Sequence, residues 1–171
     1  MDTINSKEIL IVYFSWSGNT KAVAEEIYKQ VGGDLYSIVM ETPYSENYNA
    51  TVAKARQEQQ SNARPAIKTR IANIEQYDIV FLGYPNWCGS YPMPVATFVE
   101  SNKLDGKIIM PFFTHGGGGV QRCDSDLRKL LSNAKIGPYL ILSGSSANSA
   151  QGEIAAWLKK AMVRMKNFGV L

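Results

Sequence analysis

The sequence predicts an α/β protein: a doubly wound five-stranded parallel sheet with helices on both faces. Three observations predict it. Short apolar runs rich in β-branched and aromatic residues recur along the chain, and runs that are apolar at nearly every position suit strands buried on both faces. Amphipathic segments of helical period lie between them. No linker, internal repeat or low-complexity stretch divides the 171 residues. Residues 1–171 therefore read as a single domain, large enough to bury ~70% of its unfolded surface.

The elements follow in order. Glu8–Phe14 is the first strand. Val23, Ile27 and Val31 then fall at i, i+4 and i+8, with Glu25, Glu26 and Lys29 facing away, which is a helix. Leu35–Met40 is a weaker strand, nearer an edge. Thr42–Ile74 is hardest to assign, with a polar, poorly patterned helix over Thr51–Gln60; it is long enough to build a lid, in which Tyr44, Tyr48 and Arg64 are either contacts or, on the plainer reading, solvated loop residues. Tyr77–Gly83 is the third strand. The stripe Val95, Phe98 and Val99 follows Pro92 and Pro94, and proline suits a first helical turn, whose N–H groups lack intrahelical partners anyway. Lys107–Phe113 is the fourth strand, in which Pro111 marks a bulge. Val120, Leu127, Leu130 and Leu131 form another stripe. Pro138–Leu142 is the fifth strand, and Ile154, Trp157, Leu158, Ala161, Met162 and Met165 face the core from the last helix. Right-handed crossovers wind five such βα units onto both faces of one sheet.

Composition removes several functions. The net charge is +3, and the 18 Lys and Arg form no block, so no nucleic-acid partner is expected. Cys88 and Cys123 stand in no CxxC or Cys/His spacing, which argues against zinc and disulfides and for free thiols in a reducing cytoplasm. Met1–Lys7 lack a basic, apolar leader, and the longest uninterrupted apolar run is Ile9–Phe14. Neither a signal peptide nor membrane insertion is expected.

In doubly wound sheets, ligands bind beyond the carboxyl ends of the strands, where strand order reverses. Three strands end there in unusual loops. Ser15-Trp-Ser-Gly-Asn-Thr20 runs straight into a helix. A helix N-terminus offers free N–H groups and about half a positive charge, which suits a phosphate; Ser15, Ser17, Asn19 and Thr20 add side-chain groups and Gly18 permits close approach. A turn with an N-cap is the plainer reading. Neither a Walker loop nor a G-x-G-x-x-G turn is present. The second loop, Gly83-Tyr-Pro-Asn-Trp-Cys-Gly-Ser-Tyr-Pro92, carries aromatics that either stack on a flat ring system or pack on their own domain. The third, Thr114-His-Gly-Gly-Gly-Gly119, can bring main-chain N–H groups against a polar ring edge. His115, the single histidine, is either a ligand contact or a structural hydrogen-bonding residue.

Together these loops resemble those of flavodoxins. Ser15–Thr20 resembles the loop that holds the FMN phosphate, and Gly83-Tyr-Pro-Asn-Trp87 and Thr114-His-Gly-Gly117 resemble the ring-binding loops of a bacterial flavodoxin subfamily. The resemblance covers essentially the whole chain. It implies strand order 2-1-3-4-5 and the short-chain type, since no long insertion interrupts Ile136–Leu142. It implies non-covalent FMN, with Ser15, Ser17, Gly18, Asn19 and Thr20 on the phosphate. Pro85, Asn86, Trp87, Cys88 and Gly89 would pass the N5 edge of the ring, with Trp87 stacked. Thr114, His115, Gly116, Gly117 and Gly118 would meet the pyrimidine edge. The implied protein is a monomeric, low-potential electron carrier with no catalytic residue or metal, exchanging electrons with a flavoprotein reductase or ferredoxin-type donor. The alternative is a flavin-dependent NAD(P)H or quinone reductase on the same fold; a flavin-free binding module is a third class, against which the intact first loop argues. Two features depart from the family. The chain is slightly basic where familiar flavodoxins are strongly acidic, and its third loop lacks the tyrosine that often covers the outer flavin face.

Overall fold

The strand β1 (Ile9–Tyr13) is buried at every residue, and its alternate side chains enter two different cores. The computed structural model describes residues 8–169, so the reading of Met1–Lys7 lies outside the described residues. Side chains alternate across a strand. Ile9, Ile11, Ile79, Phe81, Ile108, Met110 and Phe112 face one side, against Val23, Ala24 and Ile27 of helix α1 (Asn19–Val31) and Ile154, Trp157, Leu158 and Ala161 of helix α5 (Gln151–Asn167). Leu10, Val12, Val80, Leu82, Ile109 and Phe113 face the other, against Val95, Phe98 and Val99 of helix α3 (Met93–Ser101) and Leu127 of helix α4 (Cys123–Leu130).

The remaining strands are β2 (Asp34–Ser37), β3 (Ile79–Pro85), β4 (Ile108–His115), β5 (Lys135–Ile136) and β6 (Leu140–Ser143). Every ladder is parallel. The order is β2-β1-β3-β4-β5, and β6 pairs with β4. β5 and β6 are thus two pieces of one outer strand, and the expected order 2-1-3-4-5 holds.

The break between those pieces comes from Pro111. Lys135 and Gly137 donate to the carbonyls of Lys107 and Ile109, each at 2.9 Å. The next β4 donor on that side would be residue 111, and proline has no N–H. Pro111 stays in register with Leu82 of β3. The bulge predicted at Pro111 instead appears in the neighbour: Ile109 pairs with Ile136 and Phe112 with Leu140, so the outer strand carries one extra residue between them. Its freed carbonyls find side chains. Arg128 Nη2 donates to Gly137 O at 3.1 Å and Trp157 Nε1 to Pro138 O at 2.9 Å. Asp124 holds that arginine at 2.8 Å.

β2 is shorter than expected, because the chain turns away after Ser37. Thr69 donates to Ser37 O at 2.8 Å and accepts from Val39 N at 2.7 Å, and Met40 forms an antiparallel bridge with Ile67. The segment that was hardest to read leaves and returns at this point. It carries helix α2 (Tyr48–Gln60), capped by Asn47, whose side chain accepts from Ala50 N at 2.9 Å. Arg64 ties the returning stretch to α3 through two 2.8 Å hydrogen bonds to Glu100. Among the described residues, no helix is long and apolar enough to cross a membrane.

Close packing sets a test. A Cβ on Gly83 would lie 2.0 Å from the Phe112 ring, whereas one on Gly152, in the first turn of α5, would meet nothing within 4 Å. Gly83→Ala is expected to destabilise by about 1–3 kcal/mol through overpacking, and Gly152→Ala to stabilise by about 0.4–1 kcal/mol. Urea unfolding of both variants measures the contrast; equal stabilities would show that β3 and β4 have room to separate.

Candidate functional site

A cleft of about 550 Å³ opens over the carboxyl ends of β1, β3, β4 and β6, between the connections that carry α1 to one face of the sheet and α3 to the other. The three sequence-predicted loops meet there, joined by two further walls.

The first loop is built to receive an anion. Gly18 takes the left-handed conformation (φ 96°) as α1 begins, which glycine adopts without a Cβ clash. Its N–H donates to Ser15 Oγ at 3.1 Å. The first turn of α1 has no side-chain cap and no acidic residue, so its N–H groups and the positive end of its dipole are left for a ligand. Ser17 and Asn19 line the cleft. Thr20 points inward and is buried, its hydroxyl 2.8 Å from that of Thr114, which pins the first loop to the third. Trp16 also lines the cleft: Nε1 donates to Ser45 O at 3.1 Å, and its ring centroid lies 6.3 Å from that of Tyr48.

The second loop is a tight turn. Trp87 and Ser90 exchange backbone hydrogen bonds of 2.9 and 3.1 Å, with Cys88 (φ 53°) and Gly89 (φ 84°) between them, both left-handed. Consecutive left-handed residues define a type I′ turn. Cys88 O accepts from Gln59 Nε2 and Arg122 Nη2, each at 3.4 Å. The Asn86 side chain bonds to three groups in two loops. It donates to Gly119 O and Gln121 Oε1, both at 2.8 Å, and accepts from Gly89 N at 3.0 Å. Trp87 is held edge-to-face by Phe14 (5.3 Å, 87°) and Tyr44 (5.0 Å, 74°). Tyr44 donates to the buried Glu58 at 2.5 Å. Burial and the Glu58 carboxylate push the Tyr44 phenol well above its ordinary range, so it remains a protonated donor.

In the third loop, His115 Nδ1 accepts from Gly117 N at 2.9 Å. Nδ1 is therefore the acceptor and Nε2 carries the proton. Thr114, His115 and Gly116 line the cleft with Pro85, Asn86, Trp87 and Cys88. Ser15, Gly18 and Thr20 do not line the cleft: Thr20 is buried behind it, and Ser15 and the exposed Gly18 shape the first loop. Gly89 and Gly118 face an adjoining basin, and Gly117 lines neither cavity.

One wall was missed in the sequence and another was foreseen only as a lid-forming stretch. Ser143, the last residue of β6, and Gly144 and Ser145 after it close the end of the cleft beside the first loop. A Cβ on Gly144 would come within 2.5 Å of Asn19 Nδ2, so glycine lets this loop pack against the first. The signal was present: small polar residues directly after an apolar strand, as in the loop after β1. The other wall is α2, which contributes Tyr48, Thr51, Val52, Ala55 and Arg56. Tyr48 was a possible contact and does line the cleft, whereas Arg64 turns away to Glu100.

The two thiols are expected to differ sharply. Cys88 is half-buried in the cleft wall, whereas Cys123 has no exposed surface, and burial, aided by Asp126, pushes its thiol up to about 12. Iodoacetamide on the native protein is expected to label Cys88 alone, read by peptide mapping. Labelling of both would mean that α4 opens readily.

The flavodoxin family model matches residues 8–161. Solved structures agree. A candidate flavoprotein from Bacteroides eggerthii is 35% identical, covering 89% of this chain and 96% of its own, with a TM-score of 0.79. Another from Bacteroides uniformis is 25% identical over 91% of this chain and 100% of its own, at a TM-score of 0.81. A flavoprotein from Lactobacillus acidophilus, solved in complex with FMN, is 25% identical over 88% of this chain and 98% of its own, at a TM-score of 0.71. No curated protein matches the chain.

Proposed function

We propose a function from one premise: the chain belongs to the flavodoxin family. It holds one FMN non-covalently in the cleft and uses it to carry electrons between redox proteins in the cytoplasm. The observation that supports this best is the uncapped start of α1, open to a cleft that no Asp or Glu lines among the described residues. A phosphate there meets unclaimed N–H groups, the helix dipole, Ser17 and Asn19. Ser143 and Ser145, with hydroxyls 2.9 Å apart, close the same end. The relative with 25% identity that was crystallised with FMN supports the choice of ligand.

The flavin supplies the redox chemistry when bound, and the protein supplies position and surroundings. Trp87, fixed by Phe14 and Tyr44, offers an aromatic wall whose orientation is set before any ligand arrives. Gly117 N–H holds His115 Nδ1, leaving Nε2–H as a donor on a residue that lines the cleft. The carrier reading is favoured over a reductase because the described residues build one sheet with its helices and no second nucleotide-binding unit.

Phosphate recognition is expected to dominate affinity. FMN should bind one-to-one and far more tightly than riboflavin, each charge-assisted hydrogen bond contributing about 1.5–3 kcal/mol. Titration by quenching of flavin fluorescence checks this; equal affinities would remove the phosphate assignment. Trp87→Ala is expected to weaken FMN by roughly 1–3 kcal/mol, the scale of aromatic stacking on a nucleobase, and to shift the flavin absorption band. An unchanged spectrum and affinity would place the ring elsewhere.

Carrier and reductase separate in a steady-state assay. Direct oxidation of NADH or NADPH is expected to be slow with or without a benzoquinone, and reduction by a flavoprotein reductase or ferredoxin-type donor fast. Turnover of about 10 per second or more with a nicotinamide, an ordinary enzymatic rate, would establish the reductase.

A further inference from the structure

Beside the cleft lies a second cavity of about 680 Å³, sharing with it Tyr48, Arg56, Asn86, Cys88, His115 and Gly116. Its remaining wall includes Gln59, Gln60, Gln121 and Arg122. Among the described residues, no Asp or Glu lines either cavity. Arg56 is exposed and makes no ion pair among the described residues. Arg122, with 58% of its side chain exposed, leans on Asp126 at 3.4 Å, but that carboxylate is also held by Ser90 Oγ at 2.6 Å and reached by Lys129 at 4.0 Å. The charges facing each other here are thus Arg56 from α2 and Arg122 from the start of α4, with one shared carboxylate behind them.

The form of the basin selects its occupant. Tyr48 (68% exposed), Arg56, Gln60, Gly118, Gln121 and Arg122 all stand open to solvent. Small ligands gain affinity when a concave and mostly apolar site buries most of their surface; this wall is polar and open. A protein surface needs no such enclosure. It is drawn in by opposite charge, which raises the encounter rate and fixes orientation. The carrier reading also requires a partner's redox centre to come close to the ring edge, and the basin adjoins the loop assigned to that edge.

We infer that this basin is the docking surface for an acidic redox protein, whose carboxylates seat between Arg56 and Arg122. This rests on the carrier reading above. It also gives the chain's +3 charge a local meaning, since the charge at the mouth of the cleft is of the same sign.

The test uses the FMN-loaded full chain and two probes of opposite charge: an acidic, reduced [2Fe–2S] ferredoxin as electron donor and the basic cytochrome c as electron acceptor. Gln60 is exposed at the end of α2, lines the basin and does not line the cleft, so Gln60→Lys and Gln60→Glu change the basin's charge without touching the flavin site. Stopped-flow reduction of the flavin by ferredoxin is expected to be fastest for Gln60→Lys and slowest for Gln60→Glu. It should fall at least ~10-fold as salt rises, the lower end of the range for steered association. Cytochrome c, which takes electrons from the reduced protein, should show the opposite order. Prompt reduction by ferredoxin that ignores both salt and residue 60 would overturn the docking surface and leave the carrier reading standing. If neither protein exchanges electrons while NADPH is oxidised with the same charge dependence, the basin takes an anionic nucleotide, and both readings fail.

Discussion

A parallel sheet buried on both faces sends the loop after every strand to the same edge, and the rest of this structure depends on that constraint. Because β1 is buried at all its residues, both of its faces must be covered, and helices cover them only if the connections wind in both directions from β1. The reversal leaves a crevice where α1 goes one way and α3 the other. Loops far apart in sequence then meet without any local interaction bringing them together: Ser17, Trp87, His115 and Ser145 share one cleft wall.

Once gathered there, the loops are held mainly by each other. Thr20 bonds to Thr114, Asn86 reaches Gly119 and Gln121, and Arg122 donates to Cys88 O. Backbone groups on loops need partners when they leave the ladder, and here Gly119 O and Cys88 O find theirs in side chains of other loop segments. Trp87 is fixed in the same manner from below, through Phe14 and Tyr44, with Tyr44 fixed in turn by Glu58. A site whose rotamers are set in advance loses less entropy on binding. The left-handed Cys88 and Gln121 carry strain in this arrangement, a conformation costing on the order of 1–3 kcal/mol for a residue other than glycine.

Charge is distributed by a different rule. Three acidic side chains near the cleft are turned to internal tasks. Glu58 is buried under Tyr44, Asp124 anchors Arg128 where Pro111 interrupts the sheet, and Asp126 takes Ser90 and Arg122. Arg56 has no such task among the described residues and stands at the mouth with Arg122. A chain that is only slightly basic overall therefore presents positive charge where a partner would approach.

The sequence by itself determined the fold class, the sites of β1, β3 and β4, and the three loops at the carboxyl edge. Those features rest on local chemistry: continuous apolar runs demand burial on two faces, and glycine, serine and threonine mark the turn into an amphipathic helix; that α1 starts without a side-chain cap was decided by the tertiary structure. Pro111 announced a break, but only the ladder showed that it falls in the neighbouring strand, because a missing N–H is felt by the partner that would have accepted it. Thr42–Ile74 was opaque because α2 buries little, only Thr51, Ala55 and Glu58, and so carries no strong apolar stripe. Its role as a wall comes from the Met40–Ile67 bridge and the Arg64–Glu100 pair, contacts between residues that no period connects. The Ser143–Ser145 loop and the basin between Arg56 and Arg122 were settled in the same way. Periodicity reports which side of an element is buried, whereas the meeting of two loops depends on where distant strands end, and only the tertiary structure decides that.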